Sequence, residues 1–561
     1  MAFMSSSPSA SLLLFFAAAA LYVCKKAYRS RKIIADLRRQ GMPMPPFSWA
    51  AGHLLAASPF LEKLPADAIF NYSVAEMARE FREEKMFYLD FWPINDPFLI
   101  VADPQAASQL MRSNTAPKPA SVSAALASLT GGPNLFTMPD DEWKFWRSIF
   151  SPGFSASQML GQVPVMLSAA QTFRGVLRKK AESRELFRLE EATCRMTLDI
   201  IGLVTLGSSF DYQIADNEFP TRLRSLVRWT SFGAEVNPFR RWNPIRPLMC
   251  WYQGRYVDNF IREELKKKIA KRRGVCNPCG EDDDEHKSIA STALDKYLDK
   301  VEGKAGPTPS PEEADATFLR YGAAQTRLFL VAGHDTTSST LTYALHLLHT
   351  HPPALARLRA EHDAVFGPDA SAAGARLASD PSLLNALPFT TAAVKETLRL
   401  FPPASGIRMG GADTVLTTAG TGSGGKRSYP TANCSVWVVH AALHRDPDLW
   451  PRPDDFLPER WLVAPDDPLW PGGGGAGAWR PFEVGPRACL GQTLAMAELK
   501  LALAVTAREF DVRPAYEEWY ARRPKAGVRA TPGGELAYQV EGGGGGAHAA
   551  EQYPCRVSLR S

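Results

Sequence analysis

Apolar residues recur at helical spacing over most of the chain beyond residue 140, whereas alternating or continuous apolar runs are few and short. Clear helical patterns occur in SQMLGQVPVMLSAAQTFRGVLRKKAE, DNFIREELKKKIAKRR and LLNALPFTTAAVKETLRLF. Strand-like patterns are limited to MFYLDFW, PFLIVA and CSVWVVH. Long helices with a few small sheets, and no alternating order of strands and helices, predict a mainly α fold.

The N-terminal segment is apolar and uncharged from Ala10 to Cys24. Counted from Ser5, this run reaches 20 residues, about the length that crosses a hydrocarbon core. The basic sequence KKAYRSRK follows it and no Lys or Arg precedes it, which predicts a single-pass anchor with the remaining chain in the cytosol. A cleaved signal peptide is the alternative, but such peptides normally place their positive charge before the apolar run.

The composition divides the whole chain into four segments. Residues 1–40 form the anchor with its basic flank, and the prolines of residues 41–50 make a stiff connector. We predict one large domain over residues 51–530 and a C-terminal strand or tail over residues 531–561. Neither GTGSGG nor GGGGAG lies between a strand and a helix of a βαβ unit, so these sequences do not indicate a nucleotide-binding site. Flexible insertions are predicted at residues 275–311, 417–428 and 472–478.

The composition restricts the function classes. Hydrophobic residues make up 45% of the chain, which supports a large core, and a formal net charge of +5 is too small for general nucleic-acid binding. The eight cysteines are spread over the chain, so a reducing compartment is expected. Cys276 and Cys279 form one C-x-x-C near His286, but a structural zinc site needs four ligands and no second pair is close.

A long, largely buried helix is predicted from Leu328 to the two prolines that follow HTH. The sequence SPEE at 310–313 resembles a capping box, which begins either this helix or a shorter one before it. AGHDTTSS in the middle is unusual, because Gly, Asp and clustered Thr and Ser are unfavourable inside helices. Gly333 would let a flat group approach the backbone, and Asp335 and Thr336 form a polar, proton-carrying notch. Close helix packing through small residues is the alternative.

The sequence VKETLRLFPP places Glu396 and Arg399 on one helix face. Most such pairs are surface ion pairs, but the flanking residues here are apolar. A buried pair would need a further partner for its charges and donors, and Arg460 in the proline-rich PRPDDFLPERW is a candidate.

The sequence RPFEVGPRACLGQTLAMAELK places Cys489 in a turn just before a helical segment. A buried structural thiol, a nucleophile and a metal ligand are the three interpretations. No histidine is present nearby as a base, and a thiolate at a helix N-terminus is stabilised by free N–H groups. Gly485 and Gly491 would allow a tight turn against a flat group. Phe482 would stack beside the sulfur and Arg487 would bind an acidic group, which describes an axial ligand to haem iron.

Together these motifs resemble those of the cytochrome P-450 superfamily, the haem-thiolate monooxygenases, and of its microsomal, fungal-like members in particular. FEVGPRACLG matches the family's haem loop F-x-x-G-x-R-x-C-x-G at every fixed position, and AGHDTT matches its oxygen-activating notch. ETLR matches its Glu-x-x-Arg helix, PERW resembles the segment that supplies the third member, and WKFWR matches W-x-x-x-R. The motifs keep the family's order, and the resemblance extends from the anchor to about residue 515.

The resemblance implies a cytochrome P-450 fold, with a long central helix over a haem b group whose iron is bound by Cys489. The sequence departs from the family at Trp461, where Phe is commoner, and in its glycine-rich insertions. The implied roles fall into three groups: propionate binding for Trp143, Arg147 and Arg408, proton relay for Asp335 and Thr336, and a structural network for Glu396, Arg399 and Arg460.

The implied activity is insertion of one atom of dioxygen into a substrate, with two electrons and two protons taken up. Because no nucleotide-binding site is visible, electrons are expected from NADPH through a flavoprotein reductase at the endoplasmic reticulum membrane. An oxygen-independent isomerase or dehydratase and a non-catalytic haem-binding protein are the alternatives, but both leave the Asp335–Thr336 pair idle. Four basic side chains are candidates for a docking face for the reductase: Lys144, Arg147, Arg445 and Arg480. The alternative is that Arg147 binds a propionate and the other three are ordinary surface charges.

By resemblance, the substrate pocket draws on residues 119–132, 328–332 and 404–406, which are mostly small and apolar. A neutral, lipophilic, medium-to-large substrate is expected, with a fungal secondary metabolite or polyketide-like compound ahead of a xenobiotic or a fatty acid. Aromatic residues among arginines at 229–260 predict either contact with the membrane interface or packed core.

Overall fold

The computed structural model describes residues 8–92, 95–112, 116–231, 243–274, 287–303, 309–418, 427–470, 477–523, 527–542 and 546–560. Helices dominate this part of the chain, which confirms the predicted mainly α fold. The α-helices are α1 (Pro8–Arg39), α2 (Leu54–Leu61), α3 (Phe70–Glu80), α4 (Pro104–Arg112), α5 (Ala120–Thr130), α6 (Asp140–Phe150), α7 (Ala156–Gly161), α8 (Val163–Ser183), α9 (Leu189–Leu206), α10 (Glu218–Trp229), α11 (Ile245–Arg272), α12 (Ile289–Glu302), α13 (Pro311–Thr350), α14 (Pro352–Phe366), α15 (Ala372–Ser379), α16 (Pro388–Leu400), α17 (His440–Leu443), α18 (Gln492–Thr506) and α19 (Tyr516–Ala521).

The strands form small sheets, ordered β1-β2-β7-β4, β3-β11-β8, β5-β6 and β9-β10 among the described residues. The three strand-like sequences supply β1, β2 and β7 of one sheet, so their prediction is confirmed; β2 and β7 run parallel. The strands are β1 (Met86–Leu89), β2 (Phe98–Val101), β3 (Phe187–Arg188), β4 (Gly406–Met409), β5 (Val415–Thr417), β6 (Ser428–Pro430), β7 (Ser435–Val438), β8 (Phe510–Pro514), β9 (Gln539–Glu541), β10 (Ala547–Ala549) and β11 (Pro554–Leu559).

The helix that contains AGHDTTSS is α13, and its start is now clear. The Ser310 hydroxyl accepts from the Glu313 N–H and the Glu313 carboxylate accepts from the Ser310 N–H, so the capping box begins this helix directly. The helix runs for 40 residues, and the prolines that follow it open α14. Most residues from Gly322 to Leu348 are buried, and this packing keeps the unfavourable AGHDTTSS sequence helical, because tertiary packing overrides local propensity.

Helix α13 also organises the core around the candidate site. Helix α9 lies along it, and α16 and α18 pack against it and against each other. Helix α16 carries the Glu396–Arg399 pair, and α18 begins three residues after Cys489. The packing therefore brings the three predicted motifs to one region of the core.

The described C-terminal residues, 531–542 and 546–560, are built into the domain. Strand β11 is the central strand of its sheet, between β3 and β8. In the β9–β10 hairpin, the Ala547 N–H donates to the Pro403 carbonyl at 2.9 Å, and the Ser339 hydroxyl donates to the Ala547 carbonyl at 2.6 Å. This segment, predicted as a strand or tail beyond the domain, therefore contacts α13 beside the notch.

The predicted insertions have different outcomes. Helix α12 forms within residues 275–311 and buries Ile289, Ala293 and Leu294, so the prediction of a flexible insertion is wrong for residues 287–303. The apolar positions of IASTALDKYL recur at helical spacing and could have shown this. Both ends of the 417–428 insertion belong to the β5–β6 hairpin. Outside the described residues lie 275–286, with Cys276, Cys279 and His286, and also 304–308, 419–426 and 471–476.

The predicted anchor lies in α1, which extends well beyond the apolar run. No helix among the described residues combines the length and apolar character that a membrane crossing requires. The C-terminal half of α1 packs on the domain, because Ile34 and Leu37 are buried against the β1–β2–β7 sheet and Arg31 pairs with buried Asp90. The basic flank of the predicted anchor is thus partly an element of the domain core.

Candidate active site

Cys489 lies in a compact loop before α18. Its N–H donates to the Phe482 carbonyl at 2.8 Å, which folds the chain back on itself. Glu483 and Gly485 turn the chain with left-handed φ values of 55° and 86°. A Cβ at Gly485 would lie 2.6 Å from the Met111 carbonyl oxygen, so only glycine allows this turn and this close approach.

The other loop residues predicted to support the sulfur occupy more open positions. Gly491 is the N-cap of α18, and space is open where its Cβ would be. The Phe482 ring is half-buried and makes an edge contact with Trp479, with ring centroids 6.0 Å apart. These positions leave the loop accessible on one side, where a flat group is expected to lie.

Arg480 anchors this loop from inside the protein. It is fully buried, and its guanidinium donates to Glu483 at 2.9 and 3.1 Å. Glu483 also accepts from His440 at 2.9 Å, and these hydrogen bonds overcome the effect of burial and bring the pKa of Glu483 to about 2. The Arg480 N–H donates to Nε2 of buried, neutral His444 at 3.0 Å.

The predicted docking face is therefore wrong for Arg480, because its charge is enclosed and paired. The Arg445 guanidinium is also paired within the domain, since it donates to Asp454 at 2.8 Å and to the Leu400 carbonyl at 3.0 Å. Only Lys144, on α6, is well exposed, with 61% of its side chain accessible. The sequence could not separate the exposed residue from the buried and paired ones, because all four are basic and their burial depends on the folded structure.

The surroundings of Cys489 favour a protonated thiol until a metal ion binds. The residue is accessible, yet desolvation by surrounding protein raises the pKa of its thiol, while the N–H groups of Gly491 and Gln492 and the charge of Arg147 act in the opposite direction. A bound metal ion removes the proton from such a thiol outright. The described residues contain no cluster of three or more side chains that could hold a metal ion, so a single cysteine sulfur with an open side fits ligation of haem iron.

Four cationic side chains lie together beside this loop: Lys118, Arg147, Arg408 and Arg487. Arg147 donates to the Ala488 carbonyl at 3.1 Å, and Arg487 pairs with Asp140 at 2.6 Å. Burial, and then the neighbouring arginine charges, lower the pKa of Lys118 well below its usual value. The same two causes lower the pKa of Arg408, with Arg487 as the neighbour.

This concentration of positive charge tests whether a haem group fits. The buried Nε of Arg487 has no hydrogen-bond partner, and the nearby carboxylate of Glu483 is already paired with Arg480 and His440. Asp140 pairs with Arg487, but no such ion pair holds Lys118, Arg147 or Arg408 among the described residues, and an anionic ligand would balance the remaining charge. The two propionates of a haem group would supply negative charge here, so the residues fit such a ligand: Arg147 and Arg408, to which the resemblance assigned propionate binding, lie beside Arg487.

Aromatic rings lie against two parts of this cluster. Trp143 is buried, and its ring lies 4.6 Å from the Arg487 guanidinium carbon and 5.8 Å from that of Arg147. Lys118 was missed by sequence reasoning; its ammonium donates to the Ile407 carbonyl at 3.1 Å and stands 3.8 Å from the Phe136 ring centroid. A lone lysine between prolines in an otherwise small and apolar segment, APKPA, was the available signal.

The notch on α13 is open on one side only. Ala332 is exposed and Gly333 and Thr336 are partly exposed, whereas the helix around them is buried. The Thr336 hydroxyl donates to the Ala332 carbonyl at 2.9 Å. A Cβ at Gly333 would lie 2.8 Å from Ile201 on α9, so this glycine is required by helix packing, the alternative considered from the sequence.

Asp335 has a partner that the sequence did not reveal. It is buried, and His548 of β10 lies with Nε2 3.1 Å from its Oδ1. Burial alone would raise the pKa of Asp335, but the charge and hydrogen bond of His548 lower it below its usual value. The predicted acid of the notch is thus an ion-paired carboxylate.

The Glu396–Arg399–Arg460 network is confirmed as a contact network. All three side chains are fully buried, and Arg399 and Arg460 each donate to Glu396 at 2.8 to 2.9 Å. The remaining donors of Arg399 bind the carbonyls of His444, Pro453 and Asp455. Trp461, the departure from the family, donates from Nε1 to Glu396 Oε2 at 3.0 Å.

The segments predicted to line the pocket are only partly placed as expected. Helix α5, from residues 119–132, packs against α11 and α13. On α13, however, Phe329, Leu330 and Val331 are buried in the core, and only Ala332 of the expected 328–332 segment is exposed. Residues 404–406 lead into β4 beside the Cys489 loop, where a Cβ at Gly406 would clash with Glu483.

Known proteins resemble this chain over most of its length. The family model Cytochrome P-450 matches residues 45–534. Cytochrome P-450 monooxygenase polC of Polytolypa hystricis is 38% identical over 539 residues, covering 95% of this chain and 92% of its own. Cytochrome P-450 monooxygenase acrF of Aspergillus aculeatus is 32% identical over 498 residues, covering 85% of this chain and 95% of its own.

Solved structures agree on the fold. The cytochrome P-450DA heme domain matches with a TM-score of 0.67 at 23% identity, covering 93% of this chain and 98% of that chain. The extent of the family match and the identity to the two fungal enzymes go further than the fold. The chain belongs to the cytochrome P-450 family and is a monooxygenase of that family.

Proposed function

We propose that this monooxygenase binds haem b and inserts one atom of dioxygen into a lipophilic small molecule, with electrons from NADPH through a separate flavoprotein reductase. The observation that carries the proposal is the pairing of an accessible Cys489 with a cluster of under-compensated cations. When bound, haem supplies the thiolate-ligated iron on which dioxygen is activated. The chain itself binds, orients and supplies protons.

The residues would share this work as follows. Cys489 would hold the iron, and Arg147, Arg408 and Arg487, together with Lys118, would bind the propionate carboxylates. Thr336, on the open side of α13, would donate a hydrogen bond into the space where dioxygen reacts, after release from the Ala332 carbonyl. The buried Glu396 network would hold the loop segments behind the haem and take no part in the chemistry.

The membrane is proposed as the site of action, with one N-terminal segment in the endoplasmic reticulum membrane and the domain in the cytosol. Support comes from exposed apolar side chains in the first half of α1 and at the start of α11. Basic residues follow the apolar part of α1 at once. The exposed side chains are Leu12, Leu13, Leu14, Phe16, Leu21, Ile245, Leu248 and Trp251.

A secondary metabolite is the substrate class we favour, and a xenobiotic or fatty acid is second. The mostly small, apolar character of the α5 segment supports a lipophilic ligand. Both relatives described above are fungal monooxygenases, which is consistent with fungal metabolism. Binding spectra against a panel of lipophiles, followed by mass analysis of products, would identify the class.

Isotopically labelled dioxygen tests the proposal directly. Membranes that contain the protein and a P-450 reductase should form product only with NADPH and oxygen, and the product should carry one labelled oxygen atom. Product formed without the reductase and without label would favour the oxygen-independent isomerase or dehydratase. Haem binding with no product from any ligand of the panel would favour a non-catalytic haem protein.

A further inference from the structure

A buried chain of three ionisable side chains leads to the notch: Glu190 on α9, His548 on β10 and Asp335 on α13. His548 Nδ1 lies 2.6 Å from Glu190 Oε1, and its Nε2 lies 3.1 Å from Asp335 Oδ1. The side-chain exposures are 3% for Glu190, 18% for His548 and 11% for Asp335, so His548 is the most accessible of the three. An imidazole between two carboxylates donates from both nitrogens and is therefore an imidazolium.

The glycine-rich hairpin is built to allow this contact. A Cβ at Gly542 would lie 2.0 Å from His548 Cδ2, and a Cβ at Gly546 would lie 2.5 Å from Asp335 Oδ2. The Gly542 N–H donates to the Gly546 carbonyl at 2.8 Å, which closes the hairpin over the pair. Gly542 and Gly546 are therefore required for the backbone to approach the two side chains.

We propose that Glu190 and His548 are positioning residues that orient the Asp335 carboxylate and return a proton to it in each turnover. This inference rests on the proposed function, because Asp335 and Thr336 must relay protons to activated dioxygen. The proton on His548 Nε2 passes to Asp335 Oδ1 and converts an ion pair into two neutral groups. Neutral His548 then takes a proton from solvent water, so the step needs no other reactant and no electrons.

The electrostatics favour a resting state with the proton on His548. Burial alone would lower the pKa of His548, but the charges of Asp335 and Glu190 raise it well above its usual value of 6.5. Other ionisable groups face this chain from the elements around it: His334 and Tyr343 on α13, Arg224 on α10, Cys194 on α9 and Tyr516 on α19. Burial lowers the pKa of His334 and raises that of Cys194, so both are neutral near pH 7.

The first test removes the proton carrier. His548→Gln keeps a side chain of similar length but cannot deliver a proton to Asp335. We expect a several-fold rise in hydrogen peroxide released per NADPH consumed, with less product, in a reconstituted reductase system. The solvent deuterium isotope effect on product formation should also increase, because proton delivery becomes slower.

The matched control is His346→Gln on the same helix. His346 is buried and also contacts the C-terminal segment, with Nδ1 3.1 Å from the Tyr553 hydroxyl and Nε2 3.3 Å from Glu535. It lies three turns from Asp335, or about 16 Å along the helix. This variant loses a comparable buried contact, so its peroxide ratio should stay at the wild-type value.

A second test changes geometry and leaves every ionisable group in place. Gly546→Ala puts a methyl group against Asp335 Oδ2, whereas Gly533→Ala has only the Thr531 hydroxyl at 4.0 Å. We expect Gly546→Ala to raise the peroxide ratio and Gly533→Ala to leave it unchanged. Gly546→Ala also keeps the inference testable if His548→Gln fails to fold.

Thermal unfolding of the haem-loaded protein at different pH values gives a readout that does not depend on activity. Because the pKa of His548 is raised in the folded state, its stabilisation is complete below pH 6.5 and is lost as pH rises through the folded pKa. The difference in Tm between wild type and His548→Gln should therefore shrink as the pH becomes alkaline. Asp335, with a lowered folded pKa, adds a loss only when strongly acidic pH is reached.

The outcomes separate the inference from the proposed function. If Asp335→Asn raises the peroxide ratio while His548→Gln and Gly546→Ala leave it and the isotope effect unchanged, His548 has no relay role and the monooxygenase proposal stands. If Asp335→Asn and Thr336→Ala also change nothing while labelled product forms, the notch itself is not the proton path. A Tm difference that does not depend on pH would overturn the ion pair between His548 and Asp335.

Discussion

The replacement Trp461→Phe measures what this departure from the family contributes to the buried Glu396 network. The two carboxylate oxygens of Glu396 accept from Arg399, Arg460, the Leu457 N–H and Trp461. Phenylalanine keeps an aromatic ring against Trp450 and Trp479 but has no donor for Glu396 Oε2. The carboxylate would then lose one of its hydrogen bonds while it remains fully enclosed.

The expected magnitude follows from the charge on the acceptor. A hydrogen bond to a charged group contributes about 1.5–3 kcal/mol, and a neutral one about 0.5–1.5 kcal/mol. Trp479→Phe is the matched control, because Trp479 is half-buried like Trp461 and donates to a neutral acceptor, the Lys395 carbonyl, at 3.1 Å. Both variants lose the same ring atoms, so Trp461→Phe should lower the free energy of unfolding by about 1–1.5 kcal/mol more.

Urea unfolding of the haem-loaded proteins, followed by circular dichroism and by the haem absorbance band, would measure this difference. Equal m-values are needed for the comparison, since a changed m-value indicates a different denatured state. The argument is wrong if Trp461→Phe is destabilised no more than Trp479→Phe. That result would mean that the remaining donors satisfy Glu396 without the indole.

The other predictions concern the haem ligand, the notch and the anchor. Cys489→Ser should lose the red-shifted carbon monoxide band of a thiolate-bound haem, and a normal band would refute the assignment. Thr336→Ala should keep that band but release more peroxide per NADPH; an unchanged ratio at full product yield would remove the relay role. Deleting residues 2–28, which spares the packed part of α1, should reduce membrane binding in sedimentation assays with haem content unchanged. Full solubility of the intact protein would contradict the anchor.

The sequence allowed the local parts of the fold to be predicted. Continuous apolar runs identified β1, β2 and β7, because buried strands need no polar face. The spacing of Glu396 and Arg399 placed them on one helix face, and the proline-rich segment supplied Arg460 as a candidate partner. Family motifs then located Cys489 and the notch, because their chemistry depends on residues that are close in sequence.

Contacts between distant segments could not be predicted in this way. Glu190 and His548 are 358 residues apart, and neither lies in a motif that the sequence singled out. The burial of Arg480 was also missed, because its partners Glu483 and His444 are recognisable only once the loop has folded against α17. A basic residue in a loop looks exposed until its hydrogen-bond partners are known.

The distribution of buried charge links the two halves of the candidate site. Beside the Cys489 loop, four cations face Asp140 and a Glu483 that is already paired, so this side has an excess of positive charge suited to the propionates. Behind the notch, the carboxylates of Glu190 and Asp335 flank one imidazolium, so the field at His548 is negative even with Arg224 nearby. A negative site holds a proton more strongly than a neutral one, because the field of Glu190 and Asp335 raises the pKa of His548. The same chain thus attracts an anionic cofactor on one side of the core and stores a proton on the other.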